Sequence, residues 1–139
     1  MSMKLTTTIA KIDTIDNSEN VKIIKEFLEY MKNNDSSDNH QNNNLKAVIA
    51  FAKFLDKGIS FFDIKNKELI LSFLNTKKKS NEEDPDKRWI TTWKNYLDRI
   101  RLFYRWLYYK DKDIERESWI IPEFLKIKNK KSKRIDFRK

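Results

Sequence analysis

Apolar residues recur at three- and four-residue spacing in four stretches of the chain, the period of helices buried along one face. The first follows a polar leader that runs to Asp16. It carries Val21, Ile24, Phe27, Leu28 and Met31, with Ser18 as the expected N-cap. Residues 33–44 contain no apolar side chain and open on turn formers, so at least their first half reads as a loop. A second helix carries Leu45, Val48, Ile49, Ala52 and Leu55 on one face. Ser37 or Asp38 can cap it, which places the asparagine-rich run in its first turns, and Gly58 stands where a left-handed terminating residue is wanted. Ile59, Phe61, Phe62 and Ile64 form an apolar connector, and Asn66 caps a short third helix bearing Leu69, Ile70, Phe73 and Leu74. Residues 76–86 read as a mobile polar linker ending in Asp84 and Pro85, a cap and first-turn pair. The longest helix then runs from Lys87 to about Lys110 on a seam of Trp89, Trp93, Leu97, Ile100, Tyr104 and Leu107. Trp119, Ile120, Ile121, Pro122, Phe124 and Leu125 make a last apolar patch, expected to dock on the bundle.

One glycine and two prolines in 139 residues leave almost no material for the regular tight turns of a sandwich or barrel. The expected fold class is therefore all-α, a compact four-to-five-helix bundle. Hydrophobic residues at 39% and aromatics at 13% suffice to close a core. The division expected is a leader over 1–16, a helical domain over 17–125 and a basic tail over 126–139. The absence of cysteine excludes disulfides, thiolate metal sites and a cysteine nucleophile. His40, the single histidine, cannot build a multi-histidine metal site, and as a loop residue it is expected to be solvent exposed without a chemical role. The longest apolar runs, such as residues 47–52, fall far short of the roughly 20 residues of a membrane span. The first residues lack the apolar stretch of a signal peptide. A cytoplasmic protein with no membrane partner is expected.

Charge is distributed unevenly. The formal net charge is +9, with 8 basic and 9 acidic residues up to Ile64 and 22 basic and 12 acidic beyond it. Residues 126–139 alone carry a net +7, including Lys126, Lys128, Lys130, Lys131, Lys133 and Arg134. Such a tail either keeps the protein soluble or contacts nucleic acid. Opposite its seam, the first half of the longest helix gathers Arg88, Thr91, Thr92, Asn95, Asp98 and Arg99, with Lys94 alongside. Arginine pairs bidentately with guanine and asparagine with adenine, while threonine and the helix N-terminus contact phosphate oxygens. Beyond Arg99 the same side carries Leu102 and Trp106, which need cover, expected from the last apolar patch. The second helix repeats the arrangement with Asn42, Asn43, Lys46, Ala50 and Lys53. Solvated faces, and asparagines that reflect an AT-rich genome, are the alternatives.

The chain holds no P-loop, no GxSxG and no glycine-rich loop. Glu82, Glu83 and Asp84 read as solvated charge, and the aromatic residues of the longest helix as core. No catalytic residue, metal or cofactor is expected.

The string TTWKNYLDRIRLFYRWLYYKD, followed by Trp119 and IPEFLKIKNKKSKR, resembles the core-binding, SAM-like N-terminal domain of the tyrosine recombinase/phage integrase family, particularly archaeal Xer-like integrases. AVIAFAKFLDKG looks like that domain's second helix, DIKNKELILSFLN like its third, and DPDKRW like the approach to its fourth. The likeness spans residues 18–134, and the order of the motifs carries its specificity. It implies one half of a C-shaped clamp that grips a recombination half-site through the major groove of double-stranded DNA. The second and fourth helices would face the DNA, and the tail would track the phosphate backbone as the start of an interdomain linker. In that family a separate C-terminal domain performs strand exchange with two arginines, a lysine, one or two histidines and a nucleophilic tyrosine. The present chain departs there, since its histidine is followed by Gln41, Asn42 and Asn43 rather than a His-x-x-Arg motif. The resemblance thus implies a non-catalytic part of a recombinase, either a fragment or a natural truncation. Its partners would be DNA, the catalytic domain and other protomers on DNA, in the cytoplasm and nucleoid. A stand-alone helical DNA-binding regulator and a helical protein-interaction module are the competing readings.

Overall fold

The computed structural model describes residues 2–128; residues 129–139, with Lys130, Lys131, Lys133 and Arg134, lie outside the described residues. Five α-helices form an all-α bundle: α1 (Ser2–Ala10), α2 (Ser18–Asn33), α3 (Asp38–Phe54), α4 (Glu68–Asn75) and α5 (Trp89–Tyr109). No strand occurs among the described residues. The four helices expected from periodicity are α2 to α5, and α3 packs on α1, α2 and α5.

The centre of the bundle is aromatic. Phe61, in the connector between α3 and α4, is fully buried, with its ring edge-on to Phe103 at 4.8 Å and stacked near Phe51 at 6.2 Å. A buried loop must place its peptide groups on partners. Two fully buried side chains supply them. Asn20 of α2 donates from Nδ2 to the Ile59 carbonyl at 3.0 Å and accepts the Phe61 N–H on Oδ1 at 2.9 Å. The Tyr104 hydroxyl of α5 donates to the Phe61 carbonyl at 2.9 Å. Burial, and the neighbouring Tyr108, push the Tyr104 phenol far above its usual range, so it stays a donor at any working pH. Ser60 and Asp63 complete the connector with a reciprocal capping box.

Several local expectations change. The polar leader is part of the bundle: α1, a 3-10 turn, Lys11–Thr14, and the residue after it bury Leu5, Thr8, Ile12 and Ile15, with α1 lying on α3. The cap of α2 is Asn17 rather than Ser18, its side chain accepting from the Asn20 N–H at 2.9 Å. Ser37 caps α3 as expected. Gly58 does not end that helix, because α3 stops at Phe54 with Leu55 already extended and no glycine has a positive φ. Asn66 accepts from the Glu68 N–H at 3.1 Å at the start of α4. α5 begins at Trp89, later than Asp84 and Pro85 indicated, because Lys87 turns the chain at φ 55°. Asp84 still caps it from outside, accepting the Trp89 N–H at 2.8 Å.

The last apolar patch docks on the bundle. Phe124 meets Tyr104 edge-on at 5.3 Å, Leu125 is fully buried, and Arg101 donates to the Leu125 carbonyl at 3.0 Å and to that of Ile127. Trp106 packs against Phe27 and Tyr30 of α2, and Trp119 of the patch meets Tyr30 at 6.1 Å.

Replacing Asn20 by Ala leaves a buried N–H and a buried carbonyl without partners and should cost about 2–4 kcal/mol in urea unfolding. Tyr104→Phe, which orphans one carbonyl lone pair, should cost about 1–2 kcal/mol. A loss below about 0.5 kcal/mol for both would show that the connector is not held by these bonds.

Candidate nucleic-acid interface

Where α3 crosses α5, their N-terminal halves line an open cleft of about 240 Å³. Asn43, Lys46 and Ala47 come from α3, and Thr92, Asn95, Tyr96 and Arg99 from α5. Both sets follow the three- and four-residue spacing of a single helix face. None of the seven is acidic, and the small Ala47 side chain leaves the floor open. A second cleft, about 470 Å³, continues from it over the start of α5. Lys77, Lys79, Glu83, Asp84 and Arg88 are on its walls, and it shares Thr92 and Tyr96 with the first. The two make one trough with Tyr96 at its waist.

Side chains along the trough are held by their neighbours. Lys77 Nζ lies over the Tyr96 ring at 4.3 Å and the Phe73 ring at 5.1 Å, and burial pulls its pKa below the usual lysine range. At Asp84 burial favours the neutral acid. The backbone bonds from Arg88 and Trp89, with the charges of Lys79 and Arg88, outweigh it and hold the carboxyl below its usual range. Asp84 thus occupies the α5 N-terminus that an anion would otherwise favour. At the opposite end, Arg99 Nη1 donates to Asn44 Oδ1 at 2.7 Å. Asn44, almost fully buried, turns its Nδ2 to His40 Nε2 at 3.0 Å and to Met31 Sδ at 3.5 Å.

The expected site residues divide. Asn43, Lys46, Thr92, Asn95 and Arg99 share the first cleft, and Arg88, 3.7 Å from Asp86, lines the second. Asn42 does not face outward: it is buried beneath α1, where Oδ1 accepts the Thr8 hydroxyl. Lys53 is exposed but lines a separate cleft with Thr14, Asp16, Asn17 and Asp56. Thr91 is exposed and Lys94 half-buried, and neither lines the trough. Asp98 pairs with Arg101 at 3.6 Å. Lys126 is exposed and 3.3 Å from Glu123, and Lys128 is exposed.

Sequence reasoning missed Lys77, Lys79, Tyr96 and Asn44. For Asn44 a signal existed, since it precedes Val48 by one turn and so falls on the buried side of α3. For Lys77 and Lys79 none did, because only the folded path of the linker brings them beside α5. Among the described residues no group of His, Asp or Glu is arranged to hold a metal ion. No family model, curated protein or solved structure matches the chain.

Burial, then the charges of Arg99 and Arg116, push the His40 pKa below its ordinary 6.5. The folded state therefore favours neutral imidazole. Its contribution to stability is present above pH 6.5 and is lost as pH falls through the lower folded value. Melting temperature should drop on acidification from pH 7 to 5, and the drop should be smaller in His40→Gln. Equal drops in the two proteins would exclude His40 as a source of acid sensitivity.

Proposed function

We propose that the chain binds double-stranded DNA along the α3–α5 trough, as the non-catalytic core-binding domain of a site-specific tyrosine recombinase. The observation that carries this reading is the convergence of two polar helix faces, from distant parts of the sequence, on one trough. Lys46, Lys77, Lys79, Arg88 and Arg99 line it together with Asn43, Asn95 and Thr92, and the acidic Glu83 and Asp84 stand at its α5 end. Cations gathered along a groove neutralise phosphates and supply most of the affinity. The amides and guanidinium groups have the donor patterns that distinguish adenine and guanine edges. Open on one side and walled by polar groups, the trough suits a duplex surface better than a small enclosed ligand.

Under this reading the chemistry belongs to a separate C-terminal catalytic domain, and other protomers assemble on the same DNA. The basic residues from Lys126 onward add contacts with phosphates. The protein works in the cytoplasm, on the nucleoid.

Duplex affinity should fall steeply with salt. Four to five neutralised phosphates give a log–log slope of about −3.6 to −4.5. The pair Lys46→Ala and Arg88→Ala should flatten the slope by about 2, since each phosphate contact contributes about 0.9. Lys53→Ala, outside the trough, should alter affinity far less than Lys46→Ala. In contrast, Asn43→Ala with Asn95→Ala should leave the slope unchanged. It should narrow the preference for a duplex selected from a random pool by about 1–3 kcal/mol per lost bidentate contact. Fluorescence anisotropy at several salt concentrations measures all four. No duplex binding at low salt, or equal effects of Lys53 and Lys46, would overturn the assignment.

A further inference from the structure

Arg99 reaches the trough from a half-buried position, and its guanidinium is tied on one side by Asn44 Oδ1 at 2.7 Å. The Asn44 amide can offer its oxygen to Arg99 only while its nitrogen faces the other way. There it meets two acceptors, Met31 Sδ of α2 and His40 Nε2, one turn earlier on α3. With Nε2 accepting, the imidazole is neutral and its proton sits on Nδ1. A protonated imidazole has no acceptor at Nε2. The amide would then have to rotate, presenting Nδ2 rather than Oδ1 to Arg99, donor against donor. The charged groups acting on His40 are Arg99 of α5 and Arg116 of the segment beyond it, both cationic, and both oppose that protonation.

We propose that Asn44 is a positioning residue that fixes the Arg99 guanidinium at the end of the trough for contact with DNA, and that neutral His40 keeps the Asn44 amide in the required orientation. The proposal rests on the DNA-binding reading given above. Asn44 touches no ligand itself: it removes the disorder that a long side chain otherwise loses on binding, and it leaves the remaining guanidinium N–H groups free for the nucleic acid.

The test uses the full chain and a labelled duplex, with a melting curve for every variant. Asn44→Leu keeps the branched side-chain shape while removing the hold on Arg99. It should weaken binding about three- to tenfold, the factor for ordering one long side chain, with the salt slope unchanged because the charge remains. Arg99→Ala should weaken binding and flatten the slope by about 0.9. In the Arg99→Ala background Asn44→Leu should then change affinity less than about twofold, because the group it positions has gone. Independent effects of the two substitutions would overturn the positioning role.

A second measurement keeps the proposal decidable if Asn44→Leu folds poorly. In 15N-labelled wild-type protein without DNA, the Asn44 side-chain amide and the Arg99 Nε–H signals should titrate with the His40 midpoint. Both should stay flat in His40→Gln. Signals that ignore the His40 titration would overturn the coupling. Wild-type protein that binds no duplex would overturn the DNA reading instead, and the two failures are thereby distinguished.

Discussion

The fold turns on the burial of one loop. Phe61 carries its peptide group into the aromatic centre of the bundle, and that is tolerable only because α2 and α5 each contribute a polar side chain to it. Asn20 takes the N–H, and Tyr104 donates to the carbonyl. An unpaired peptide group there would cost about 1–3 kcal/mol, so these bonds fix both helices against the connector. The ring itself touches Phe51 of α3 and Phe103 of α5. Three helices are therefore set relative to one another at a single residue.

The trough follows from that setting. With Phe103 and Tyr104 directed at Phe61, the rotation of α5 turns Thr92, Asn95 and Arg99 toward α3. Phe51, on the same centre, fixes the rotation of α3 and brings Asn43 and Lys46 opposite them. The contact from Arg99 to Asn44 closes one end, and Asp84, bonded to the start of α5, orders the other. Polar residues of α3 thus serve two purposes one position apart: Asn44 braces from within while Asn43 faces outward.

What the sequence made legible was periodic. The apolar spacings of α2 to α5 marked all four helices, and the side of α5 opposite its seam contained Thr92, Asn95 and Arg99 of the cleft, though not Tyr96. Helix ends were less clear, because Asp84 caps α5 across an intervening turn at Lys87 that no pattern announces. α1 escaped notice because its apolar residues, Met3, Leu5, Ile9 and Ala10, are interrupted by Lys4 and three threonines, and its stability comes from packing on α3. That helix also explains Asn42: a side chain that looks outward on α3 alone is buried once α1 lies over it. The meeting of two polar faces in one trough is a tertiary fact, decided by a helix crossing and not by either helix.

We propose that duplex DNA lies along this trough. Backbone amide shifts during titration of the 15N-labelled chain with a duplex at low salt test it most directly. The largest changes should fall around Asn43, Lys46, Thr92, Asn95 and Arg99, extending to Lys77 and Lys79, with little change at Tyr30, Trp106 and Trp119 on the α2 side. Changes centred on that aromatic face, with the trough unmoved, would contradict it.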